Sequence, residues 1–161
     1  MNRLKIYISI VLVGAAAIVF QSCEKSTDTS DFFTPVQFTT QLNLNLPQYI
    51  ALTSPQGYVY IPEGNKGTVV YRLPQGGFAA YDRTCSNNPK DACAQVTVDS
   101  NYTGLHCGSY VAGKGFQGCC ASVFDLNTGT AIQKPASRPL KSYYTSYNES
   151  QKILYVSTNP F

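Results

Sequence analysis

The 161-residue chain has one histidine, one methionine and no tryptophan. Charged residues make up only 13% of it. These scarcities exclude whole classes of chemistry. A lone imidazole, His106, has no second histidine to share an acid–base relay and completes no Ser/His/Asp set. No glycine-rich loop has the spacing that cradles phosphates. No basic patch stands out, so no nucleic-acid partner is expected. The acidic residues Glu63, Asp82, Asp91, Asp99, Asp125 and Glu149 are scattered beside turns and strand ends, where most are expected to be solvated. The expectation is a protein that is not an enzyme, with no identifiable small-molecule substrate. Helical periodicity is missing as well: beyond the N-terminus no ten-residue window repeats its apolar positions at a helical period.

The one long apolar run is at the start. Arg3 and Lys5 precede Ile6 to Phe20, which is interrupted only by Ser9 and Gly14. Its length and flanks are those of a secretory signal rather than a membrane span. Phe20-Gln21-Ser22-Cys23 resembles a bacterial lipobox, with Phe20 where leucine is usual. Residues 1–22 are therefore read as a lipoprotein signal peptide and Cys23 as the lipidation site. Residues 23–35 form a polar tether and 36–161 one domain. Loss of Arg3 and Lys5 leaves the charges nearly balanced. The expected location is the cell envelope of a Gram-negative bacterium, facing periplasm or exterior. The membrane is met through the lipid, and an envelope protein is a possible partner. Export implies an oxidising compartment. The five cysteines after Cys23 are an odd number, so at least one is free, intermolecular or bound to something.

From Val36 on the pattern is β. Leu42, Leu44 and Leu46 alternate with Asn43 and Asn45. Strands are predicted over Gly57–Ile61, Thr68–Leu73, Phe78–Tyr81, Ala94–Val98, Ser122–Leu126, Thr130–Gln133, Lys141–Tyr147 and Lys152–Ser157, separated by turn residues such as Asn127-Thr128-Gly129. Many short strands argue for an antiparallel sandwich or small barrel. Twelve tyrosines suit such a fold, their rings covering sheet faces. One stretch, Asp99 to Gly118, is rich in glycine and polar residues and reads as a long irregular connection, with His106 as an exposed loop imidazole.

The cysteine segments carry a resemblance. Cys85 follows Ala80-Tyr81-Asp82-Arg83-Thr84. Cys119-Cys120-Ala121-Ser122-Val123-Phe124-Asp125 is followed by Lys134-Pro135-Ala136 and by Pro139-Leu140-Lys141-Ser142-Tyr143. This order resembles the Rieske [2Fe–2S] family: a Cys-x-His loop, a Cys-Pro-Cys-His-Gly-Ser-x-Phe-Asp loop, then Gly-Pro-Ala, Pro-Leu and an aromatic strand. It implies an all-β, Rieske-like sandwich with two cysteine-containing loops. That family holds one iron by two thiolates and the other by two imidazoles. Carried over, Cys85 takes the first thiolate position and Asn87 the first imidazole position. Gln117 falls on the second thiolate, Gly118 on the proline, Cys120 on the second histidine and Ala121 on the glycine. Cys93 and Cys119 fall on the disulfide partners. His106-Cys107-Gly108-Ser109-Tyr110 is similar to a scrambled second loop, with histidine and cysteine reversed.

Most of the ligand set is therefore absent, and three readings of the cysteines stand. In the first, no cofactor is bound and disulfides staple the loops: Cys93–Cys119 by the resemblance, with Cys85 free to pair with Cys107 or Cys120. Adjacent Cys119 and Cys120 seldom bond each other. In the second, zinc takes four thiolates, although the Cys-x7-Cys and Cys-Cys spacings differ from the usual knuckle. In the third, a variant thiolate-rich [2Fe–2S] cluster makes the protein a low-potential electron carrier, exported without a visible twin-arginine signal. If a metal is bound, Cys85, Cys107 and Cys120 are its expected ligands.

Overall fold

A computed structural model describes residues 36–101 and 103–161. The expected signal, Cys23 and the tether lie outside the described residues. Among the described residues, no helix is long and apolar enough to cross a membrane.

The described chain forms ten strands: β1 (Thr39–Asn43), β2 (Tyr58–Ile61), β3 (Thr68–Arg72), β4 (Phe78–Asp82), β5 (Val96–Val98), β6 (Leu105–Val111), β7 (Gly115–Phe124), β8 (Ala131–Gln133), β9 (Tyr144–Asn148) and β10 (Ile153–Ser157). They make three antiparallel sheets, ordered β1-β10-β9, β2-β3-β4 and β5-β6-β7-β8. The all-β expectation holds.

The sheet β2-β3-β4 lies between two cores, and the pleat explains how. Successive side chains of a strand point to opposite faces. On β3, Val69 and Tyr71 join one core with Val96, Leu105, Phe124 and Leu140. Val70 joins the other, with Leu42, Phe78, Leu154 and Val156. This is why Thr68-Val69-Val70-Tyr71 is buried without a break rather than alternating.

Two expectations need correction. The Leu42–Leu46 alternation does not extend as a strand: β1 ends at Asn43, and Pro47–Thr53 is a 3-10 helix. Proline suits a first helical position, where its missing N–H would have no partner. Leu46 is consequently exposed while Leu42 and Leu44 are buried.

The second correction concerns Asp99 to Gly118, which is no irregular connection. Its larger part is the β6–β7 hairpin. The turn is closed by the Lys114 N–H donating to the Val111 carbonyl, with Gly113 and Gly115 at positive φ. His106 is therefore a strand residue opposite Val123, not a loop residue. The ladder is interrupted once. His106 pairs with Val123 and Gly108 with Gly118, so four residues, 119–122, lie opposite Cys107 alone. Such a bulge re-aims side chains. Gly108 makes it possible: its φ is +149°, and a Cβ there would sit 2.3 Å from the Gln117 carbonyl oxygen.

Candidate functional site

The bulge gathers sulfur. Cys85 follows β4, where Thr84 bridges to Gln95, and Cys93 precedes β5. Cys107 lies on β6, and Cys119 and Cys120 on the bulged part of β7. Cys93 is bonded to Cys119, with 5.3 Å between their Cα atoms. Cys85 is bonded to Cys107, with 5.8 Å between Cα atoms. Cys120 is the free thiol among the described residues. The two bridges differ in setting. Cys85 and Cys107 are fully buried in the core, whereas Cys93 is exposed and Cys119 half-buried.

The Cys120 Sγ lies 3.9 Å from the Cys85 Sγ. The sulfur atoms of Cys85, Cys107 and Cys120 all lie within 4.8 Å of one another. The Cys120 thiol donates to the Ser122 hydroxyl oxygen at 3.2 Å, and that oxygen also accepts the Ala136 N–H at 2.8 Å. Ser122 thus ties the cysteine segment to the Lys134-Pro135-Ala136 strap, whose Lys134–Pro135 peptide is cis.

His106 is not part of this cluster. Its neighbour Cys107 faces the core, so the pleat turns His106 to the other side. There its Nε2 lies 3.5 Å from the Asp99 Oδ2, and its ring meets Phe116 edge-on at 6.2 Å. Asp99 is itself held. Desolvation pushes its carboxyl up, but hydrogen bonds from the Thr103 hydroxyl and amide and from the Gly104 amide, with the His106 charge, outweigh that and hold it below the ordinary carboxylate range.

Asp82, expected to be solvated, is 0% exposed. Its carboxylate accepts the Asn65 N–H at 2.7 Å, the Thr84 N–H at 2.8 Å and the Tyr143 hydroxyl at 2.6 Å. Burial, then the Asp82 hydrogen bond and charge, push the Tyr143 hydroxyl far up from its ordinary pKa. This knot fixes the chain three residues before Cys85. Sequence reasoning missed it, although Asp82 shares the strand face of Phe78 and Ala80, both buried. Asp125 is also occupied: Oδ1 accepts the Asn127 and Thr128 amides and closes the turn to β8.

The ligand set can be tested against the cluster the resemblance implies. A Rieske centre needs two imidazoles on one iron and two thiolates on the other. Here the one imidazole is on the far face of β6, and an amide, Asn87, stands at the other imidazole position. Gln117 stands at the second thiolate position, paired with Ser109 and donating to the Lys114 and Phe116 carbonyls. Cys85 is bonded to Cys107. The residues present do not fit a two-histidine, two-cysteine centre.

No family model matches the chain, and no curated protein matches it. Similar solved structures include the following two, both at low identity. One is the complex of reduced oxygenase and oxidized ferredoxin in carbazole 1,9a-dioxygenase, 17% identical over 78% of this chain and 96% of that chain, with a TM-score of 0.45. The other is described as the small subunit of an NADH-dependent nitrite reductase from Mycobacterium tuberculosis, 15% identical over 79% of this chain and all of that chain, with a TM-score of 0.42. No residue role is carried across at these values.

Proposed function

We propose that this is a lipid-anchored envelope protein whose β domain acts as a non-enzymatic structural or interaction module, stapled by disulfides where the family it resembles holds iron. The observation that carries the reading is the buried Cys85–Cys107 bond. It engages the one thiolate position that the resemblance preserves. The sequence supports the anchor through the apolar Ile6–Phe20 run and Cys23. The reading places the domain in the periplasm or on the exterior, where an oxidising environment favours closed bridges unless a dithiol reductant is supplied. Its lone imidazole is engaged by Asp99, so it offers no relay for acid–base catalysis.

The test has two arms. Protein extracted from membranes should be colourless, hold no stoichiometric iron, and give no paramagnetic resonance signal after dithionite. Two irons per chain would overturn the module reading and favour an electron carrier. Separately, Cys23→Ala should move the protein out of the membrane fraction, and retention there would end the anchoring claim.

A further inference from the structure

Three cysteines meet at the bulge although only two of them bond. Two thiolates on one tetrahedral zinc, each about 2.3 Å from the metal, stand roughly 3.8 Å apart. The Cys85 and Cys120 sulfurs are 3.9 Å apart, and the Cys107 sulfur lies within 4.8 Å of both. We propose that the reduced protein binds one zinc ion through Cys85, Cys107 and Cys120, so that this pocket alternates between a disulfide and a metal site. This goes beyond the module reading, since anchoring and stapling can both hold with no zinc bound.

The chemistry balances with a dithiol as reductant. Its sulfur attacks the Cys85–Cys107 bond, which breaks. The dithiol gives up two electrons and leaves as its own disulfide, and its two protons end on Cys85 and Cys107. Zinc then displaces three thiol protons to solvent. Charge favours zinc over a monovalent soft cation. Three thiolates with Zn²⁺ leave one net negative charge, whereas Cu⁺ would leave two in a pocket where Cys85 and Cys107 have no exposure. Cys120 is the half-buried member of the three, so a water completing the tetrahedron enters on its side.

The experiment uses the full mature protein in detergent, without oxygen and reduced by a phosphine. Zinc is titrated against a chromophoric chelator. The oxidised protein should bind none and the reduced protein one per chain. Cys120→Ser should weaken binding at least about 100-fold, more than loss of an outer-shell partner typically does. The double variant Cys93→Ser/Cys119→Ser should bind as the parent does. Cobalt in place of zinc should give the bands of a tetrahedral thiolate site. A reduced chain that keeps its circular dichroism and binds no zinc overturns the proposal. So does zinc that survives in Cys120→Ser, or that is lost with Cys93 and Cys119. If reduction unfolds the chain, stoichiometric zinc should restore the fold, and failure to do so also refutes the site.

Discussion

Removing a single hydroxyl tests the knot behind Cys85. Tyr143→Phe keeps the buried ring and its edge contact with Phe38, whose centroid is 4.8 Å away. It deletes only the O–H that donates to Asp82 at 2.6 Å. A hydrogen bond to a charged group typically contributes about 1.5–3 kcal/mol. The short distance and the complete burial of Asp82 place the expected loss near the middle, about 2 kcal/mol. Urea unfolding should show a lower midpoint with an unchanged slope, because the surface exposed on unfolding is the same. Tyr144→Phe, at an exposed position of β9, should stay within about 0.5 kcal/mol of the parent. Alkaline pH supplies a second reading. The hydroxyl of Tyr143 has its pKa raised in the fold, so its contribution is complete below about pH 10, the unfolded value, and is lost as pH rises through the folded one. Tyr81 is likewise pushed up, to about 12, chiefly by burial. The parent should therefore weaken above pH 10, and Tyr143→Phe should retain only the part of that decline that comes from Tyr81 and from Tyr60 and Tyr71, which burial also raises. A loss under 0.5 kcal/mol, or an alkaline profile identical to the parent's, would refute the account of Asp82 as a charge held by three donors.

Limited reductant should open Cys93–Cys119 before Cys85–Cys107, because Cys93 is exposed whereas both sulfurs of the second bridge are in the core. Alkylation and peptide mass mapping at partial reduction would show the order, and the reverse order would contradict the burial. Loss of Cys93–Cys119, which closes a loop with a sequence separation of 26 residues, should cost about 3.5 kcal/mol in equilibrium unfolding by the chain-entropy estimate. Gly108→Ala should destabilise by more than about 2 kcal/mol, since the new methyl meets the backbone at 2.3 Å in a left-handed conformation; near-parental stability would mean the bulge relaxes freely. Asp99 is held below the ordinary carboxylate range, so its contribution is present above about pH 3.9 and fades as pH falls through the lower folded value. Asp99→Asn should be less stable at neutral pH and should lose less on acidification, as measured by thermal unfolding across pH.

The central and C-terminal strands were legible because each is a short run rich in β-branched and aromatic residues between turn residues. Thr68–Arg72 and Ile153–Ser157 are flanked by Gly67 and by the Asn148–Ser150 turn, and Val69, Val70, Leu154 and Val156 are fully buried. The β6–β7 hairpin was not legible. Its tip residues Tyr110, Val111 and Phe116 are exposed, so no core imposes alternation, and the pairing rests on the backbone ladder, which leaves little trace in composition. The 3-10 helix was hidden for a different reason: Leu44 and Leu46 continue the β1 period just past the point where the backbone turns. The site was legible in its parts. The Cys93–Cys119 pairing was expected from the resemblance, and the structure joins those residues. That Cys107 would reach Cys85 depended on a strand pairing hidden inside the supposed loop.

The pleat and the bulge together explain why a two-imidazole centre does not follow from one or two substitutions. Histidines at Asn87 and Cys120 would fill both imidazole positions that the resemblance assigns. Cys85 would still be committed to Cys107. Gln117 would still lie in the regular ladder, opposite Ser109 and before the bulge begins, so a cysteine there would not share the re-aimed segment at 119–122. One sulfur cannot serve as a bridge and as a thiolate ligand at once, so a cluster at the Cys85 position and the Cys85–Cys107 bridge exclude each other, whereas Cys93–Cys119 is compatible with either. The sulfur left over, Cys120, stays half-buried beside the Cys85–Cys107 bridge as the free thiol among the described residues.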